Sequence, residues 1–213
     1  MPISKKTAIL NAAEELFALH GLNGASMRNI ATKAEVDVSL ITYHFKTKDK
    51  LFASVIERRT SVFIREQLFY FEECERRAAP NAPSVEDVVD AYCYVFLKRA
   101  IAGDHHWRNF FHLFTRLSND PGRGAEIMAQ YFDPIAMRTI DALQMALPDC
   151  DQKDIHWGFQ FLSGALSTCL VNTGSVNRLS KGSVDSEDYK KIHQTLVPFV
   201  CAGLDELSNK ISD

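Results

Sequence analysis

The sequence lacks most of the features that tie a chain of 213 residues to a particular chemistry. It has no C-x-x-C, and its five cysteines, Cys74, Cys93, Cys150, Cys169 and Cys201, are odd in number and widely spaced. That argues against a disulfide framework or a cysteine zinc site and predicts reduced, mostly buried thiols. There is no E-x-x-H of any kind, hence no H-E-x-x-H, and no G-x-S-x-G or Walker loop, so the short catalytic signatures are missing. No charged-then-apolar leader opens the chain. The longest nearly apolar run, residues 159–171, is short and broken by Ser, Gly and Thr, too little to span a bilayer, so the expectation is a cytoplasmic protein. Period-2 alternation, internal repeats and low-complexity tracts are absent as well.

What is present is an ordinary globular composition, 46% hydrophobic and 24% charged, enough to bury a real core. The net charge of −3 argues against a general polyanion binder but conceals an asymmetry. Residues 1–60 carry 9 Lys+Arg against 6 Asp+Glu, leaving 15 against 21 for residues 61–213. A small basic N-terminal part on a larger acidic body suggests nucleic-acid contact by the first and another task for the second.

The periodicity predicts an all-α chain of about nine helices. The first runs from Lys5 with Ile9, Ala13, Leu16, Phe17 and His20 at helical spacing and stops at Gly21. Ser26 caps a short second helix with Met27, Ile30, Ala31 and Ala34 inward. A third follows Glu35-Val36-Asp37 to about Phe45, with Val38, Ile41 and Phe45 inward. The fourth begins at Thr47 and extends to about Ala78, ahead of the breaker-rich AAPNAPS, and joins the basic and acidic parts without a flexible linker. Further helices are expected near residues 85–102, 105–118, 125–147, 155–172 and 187–207.

The third helix leaves Ser39, Thr42, Tyr43 and Lys46 on its outer face, with Leu40 and His44 at the flanks. A short polar and aromatic face suits the major groove, where hydroxyls reach base edges and phosphates and Leu40 can touch a thymine methyl. The stretch FKTKDKLF then places Lys46, Lys48 and Lys50 at the start of the fourth helix. There the helix dipole disfavours cations by roughly 0.3–1 kcal/mol each. A phosphate at this amide-rich end would reverse that balance, with Lys48 pairing to the same charge. Solvated lysines and aromatics packed on neighbouring helices are the plainer alternative.

The string ILNAAEELFALHGLNGASMRNIATKAEVDVSLITYHFKTKDKLF resembles the N-terminal domain of TetR-family transcriptional regulators. It keeps an A-x-x-L-F-x-x-x-G, an I-A-x-x-A and a closing Y-H-F-x-x-K-x-x-L. The resemblance covers about a quarter of the chain and implies a helix-turn-helix DNA-binding domain over residues 1–46, followed by a helical effector-binding and dimerisation domain over residues 47–213. It implies DNA contacts by Ser26, Met27, Arg28, Ser39, Leu40, Thr42, Tyr43 and His44, with Lys48 on phosphate; Lys46 joins them from the outer face. Many members have tyrosine where Thr42 stands, which leaves Thr42 and Tyr43 both as candidates for the main backbone contact. The implied function is a dimeric repressor on a palindromic operator, released by a small apolar effector, and no cofactor is implied.

In the acidic body, residues 155–172 are apolar around much of the helix, through Ile155, Phe159, Leu162, Leu166 and Leu170 on one side and Trp157, Phe161 and Ala165 elsewhere. Gly158, Gly164 and Ala165 would admit a close neighbour. The last helix adds Tyr189, Ile192, Leu196, Phe199, Val200 and Leu204, with a kink expected at Pro198. The resemblance implies a homodimer through these two helices; a monomer core is the alternative. The run His105-His106-Trp107-Arg108 looks like a metal cluster, but adjacent helical side chains point about 100° apart, so surface histidines and no metal are expected. Trp107, Phe111 and Phe114 are core by default and can also wall an effector cavity, where Arg108 or Arg116 would meet the head of an acyl ligand. L-S-G-A-L and F-V-C-A-G-L are similar to pieces of the fatty-acid-responsive PsrA-type branch. Two other classes stay open: a helical protein-interaction module, and a small helical enzyme using Asp104, His105 or His112.

Overall fold

The computed structural model describes residues 3–209, and every regular element among them is a helix. In order these are α1 (Lys5–Gly24), α2 (Met27–Lys33), α3 (Val38–Phe45), α4 (Lys48–Ala78), α5 (Val85–Ile101) and α6 (His105–Ser118). They are followed by α7 (Arg123–Tyr131), α8 (Asp133–Ala146), α9 (Gln152–Val171), α10 (Ser175–Leu179) and α11 (Tyr189–Asn209). Polar side chains start many of them: Ser4, Ser26, Asp104 and Asp151 each accept from a free first-turn amide, and Ser84 with Asp87 forms a reciprocal capping box.

The count exceeds the nine expected for two local reasons. The segment 125–147 is broken at Phe132, because Pro134 at the start of α8 has no amide to donate to the preceding turn. The polar loop TGSVNRLSKGS also winds into α10 after Asn172 and Gly174, both left-handed. Gly21 interrupts α1 as expected, at φ 70° and ψ 176°. Two inward assignments are corrected: His20 is exposed near the end of α1, and Val38, the first residue of α3, is 40% exposed. Pro198 lies inside α11, which is assigned as one helix from Tyr189 to Asn209.

The chain divides into two compact units, Met1–Val62 with Asp104–Ala125 and Phe63–Gly103 with Glu126–Asp213. The first thus holds α1 to α3, the opening half of α4 and α6. In it α1 packs along α6 and against α2, over a core of Ile9, Ala13, Phe17, Ile30, Ile41 and Phe45. Phe17 meets Phe52 edge-on at 5.0 Å, which pins the start of α4 to α1.

In the second unit α11 packs on α5 and α9, and α8 on α9. Phe63 and Phe96 join α4 to α5 at 4.5 Å between ring centres. The buried Gln67 amide donates to the Ala91 and Tyr92 carbonyls at 2.8 and 3.2 Å. Gly158 leaves room for Leu204 of α11: a Cβ there would lie 2.4 Å from Leu204 Cδ2, so the leucine side chain would have to move. All five cysteines are free thiols, three of them buried, and burial pushes those of Cys93 and Cys201 up, the latter to about 11. None of the described helices is long and apolar enough to cross a membrane.

Candidate nucleic-acid interface

The α2–α3 pair presents its polar residues outward. Ser26 Oγ accepts from Asn29 N at 3.1 Å, so the hydroxyl that begins α2 is held at the helix end beside the exposed Arg28, while Met27 is half-buried. On α3, Ile41 and Phe45 are buried and Ser39, Thr42, Tyr43 and His44 are exposed, with Leu40 half-buried at the flank. Thr42 Oγ1 donates to the Val38 carbonyl at 3.1 Å. Its one hydroxyl hydrogen is therefore committed to the helix. Tyr43 is 70% exposed, its ring edge-on to His44 at 5.2 Å and covered by Lys46 Nζ at 5.6 Å.

The lysine-rich start of α4 has a local solution. Thr47 Oγ1 accepts from Lys50 N at 3.2 Å and so caps α4 at the residue where the sequence starts that helix. Lys48 Nζ donates to the Ala25 carbonyl at 3.1 Å, tying the start of α4 to the turn just before α2. An ammonium has three donors, and two remain for an anion. Lys46 lies in the left-handed half of backbone space at φ 64°, which turns its side chain back over Tyr43. Asp49 supplies the negative charge favoured in a first turn and pairs with Arg123.

A buried carboxylate behind this surface escapes the sequence reading. Glu14 is 0% exposed and accepts from Arg58 at 2.6 Å, from Arg59 at 2.8 and 3.1 Å, and contacts His106 Nδ1 at 2.9 Å. Arg58 also donates to Asn11 at 2.8 Å, and Arg59 lies over the Trp107 ring at 5.8 Å. The available signal is an acid on the inner face of α1, between Ala13 and Phe17, with two consecutive arginines in α4.

The remaining site candidates separate. Trp107, Phe111 and Phe114 are buried in the first unit as core, while Arg108 and Arg116 are exposed. Arg116 donates to the Leu19 carbonyl at 3.1 Å and lines a cavity of about 460 Å³. The His105 and His106 rings are closer than the helix wheel suggests, 4.0 Å between centres, and with Asp104 they offer ligand atoms within 4.8 Å of one another. Of these, His105 and Asp104 are exposed, and His106 Nδ1 is already engaged by the Glu14 carboxylate at 2.9 Å. Burial, followed by the charges of Arg116 and Arg108, pulls the His112 imidazole below its ordinary value. His112 stands seven residues after His105 on α6, about 10 Å along the axis, so the two do not form an acid–base pair.

On α9 and α11 the second unit exposes a row of large apolar groups. Trp157 and Phe161 stack at 5.9 Å and are 59% and 62% exposed, and Phe199 is 74% exposed. Phe161, Phe199, Gly203 and Leu207 border a shallow apolar hollow of about 540 Å³. The space beside Gly164 and Gly203 is open.

A short helix pair displaying a polar outer face at one end of a basic unit defines a helix-turn-helix protein. Comparison with known proteins carries this further. A family described as "Bacterial regulatory proteins, tetR family" matches residues 9–55, and one described as "Tetracyclin repressor-like, C-terminal domain" matches residues 90–203, more than half of the chain. The chain belongs to the TetR family of transcriptional regulators. It is 44% identical over 50 residues to an HTH-type transcriptional repressor of Mycobacterium tuberculosis, covering 24% of this chain and 27% of that protein. Matches of this kind span only 27–34% of the curated relatives' length. Among solved structures, a TetR-like transcriptional regulator from a Rhodococcus species superposes with TM-score 0.61 at 20% identity, over 95% of this chain and 99% of that one. A fatty acid degradation regulator from Bacillus halodurans gives 0.57 at 18% identity, over 92% and 96%.

Proposed function

We propose that the protein is a cytoplasmic repressor that binds a near-palindromic DNA operator as a homodimer and is released by a small apolar, acyl-like effector. The observation that carries this is the exposed α3 face, with Ser26 and Arg28 exposed at the start of α2, Lys46 exposed after α3, and Lys48 Nζ bonded to the Ala25 carbonyl just before α2. Tyr43 makes the main backbone contact of the two candidates. A phosphate offers only acceptors, and the Thr42 hydrogen is already given to Val38. Ser39, Leu40 and His44 face the bases.

One recognition helix reads too few base pairs for useful specificity, so a second copy is needed. The exposed Trp157, Phe161 and Phe199 supply the surface for it. That the fatty acid degradation regulator shares the fold supports an apolar effector class.

The test is footprinting on selected duplexes together with sedimentation of the complex. Two symmetric half-sites occupied by a dimer are expected. Protection of a single half-site by a monomer refutes the reading.

A further inference from the structure

We infer that the cavity beside Arg116 is a regulatory site for an amphipathic organic anion, whose binding loosens the start of α4 and so weakens operator binding. This deepens the effector reading given above and rests on it. The site lies within the first unit, bordered by the Gly21–Asn23 turn, the end of α6 and Phe52 of α4.

Its volume, about 460 Å³, falls in the range of small-molecule sites. Leu22, Phe52, Leu113 and Leu117 provide apolar wall, and His20, Arg116 and Arg123 provide positive or donor groups. Arg116 is held by a backbone carbonyl rather than by a carboxylate, so its guanidinium is oriented without being neutralised. Gly21 borders the guanidinium: its backbone, at φ 70°, is in the region that favours glycine, and a Cβ there would meet Arg116 Nη1 at van der Waals range. Asp120 also borders the cavity, but its two oxygens accept from Gly122 N and Gly124 N at 3.0 and 3.1 Å, which turns its charge toward the backbone of its own loop. A cavity with an oriented arginine fork over apolar wall fits a carboxylate or phosphate monoester carrying a short aliphatic or aromatic tail.

The regulatory consequence follows from Arg123. It pairs with Asp49 in the first turn of α4 and lies 5.9 Å from the Phe52 ring, which borders the cavity. A ligand anion that draws Arg123 toward itself leaves the Asp49 carboxylate unneutralised, next to Lys48 and at the helix end where a DNA phosphate is to bind. The sign is fixed by electrostatics: two negative charges at one helix end oppose each other, so the occupied site disfavours the operator.

The test is calorimetric titration of the full chain, in phosphate-free buffer, with hexanoate, benzoate, phenyl phosphate and inorganic phosphate, and with hexanamide and benzamide as neutral controls. Operator affinity is then measured with and without each anion. The tailed anions are expected to bind about tenfold or more tightly than the amides, and than inorganic phosphate, the loss expected for one charge-assisted hydrogen bond or for the buried tail. The tighter tailed series identifies the head. Arg116→Gln and Arg123→Gln should each weaken anion binding about tenfold, and bound anion should lower operator affinity about fivefold or more. The His20 side-chain NMR resonances of the unmodified protein should move on titration, a readout that no folding defect in a variant can blur. The inference is overturned if the amides bind as well as the anions, if Arg116→Gln changes nothing, or if the anion binds without altering operator affinity. Failure of the ligand-free protein to bind any operator refutes the repressor reading instead, and leaves anion binding and the His20 response as a separate result.

Discussion

Lys48 shows how one side chain serves two ends. Its ammonium donates to the Ala25 carbonyl, which positions the turn before α2, and it stands where phosphate contact is proposed. Lys48→Ala should therefore lower stability by about 1 kcal/mol, the net value of such a bond, and also weaken binding to all duplexes alike. The salt dependence should become shallower by about one counterion. Chemical denaturation and binding at several salt concentrations separate the two effects, and an unchanged salt slope would assign Lys48 to the turn alone. The lysine run at the start of α4 was legible in the sequence, and its anion-binding role is the proposal that the salt slope tests. The carbonyl partner was not legible, because it comes from a different helix and has no local pattern.

At the scale of elements, α1, α4 and α6 are tied together inside the first unit by Glu14. The carboxylate has no exposure and faces two arginines that retain about a fifth of theirs. Removing one partner from a buried charge group is costly because the others remain desolvated. Glu14→Gln should thus destabilise the protein by about 3–5 kcal/mol, seen as a lower urea midpoint. A change under 1 kcal/mol would mean that water already satisfies the arginines. The elements themselves were mostly readable. The caps at Ser26 and Thr47 and the break at Gly21 fall where short-range rules place them, since each depends on residues within one turn. The break at Pro134 and the five-residue α10 were missed, the first because apolar periodicity runs through the proline, the second because a short polar helix has no apolar face to reveal it.

For the molecule as a whole, the proposed two-fold operator calls for a two-fold protein. The apolar row on α9 and α11 is the surface proposed to provide it. Phe199 is mostly exposed, so Phe199→Glu removes little from the fold of one chain but places a charge in the middle of the proposed interface. The variant should sediment as a monomer with unchanged helical content, and its operator affinity should fall more than about tenfold, since one half-site contact remains. A dimer that persists in this variant would move the interface elsewhere.

Sequence alone determined the all-helical class, the family and, Val38 apart, the outward residues of the α2–α3 pair. Those depend on periodicity and caps over fewer than about 50 consecutive residues, and a helix-turn-helix is built from such local terms. Tertiary structure decided what lies far apart along the chain. It brought His106 to Glu14 across 92 positions and Arg123 to Asp49 across 74. It also seated Leu204 against Gly158 and opened the cavity beside Arg116. Charges and small residues carry no periodic signal of their partner. Which acid meets which base, and whether an arginine faces water or a cavity, is set by the path of the chain that brings them together.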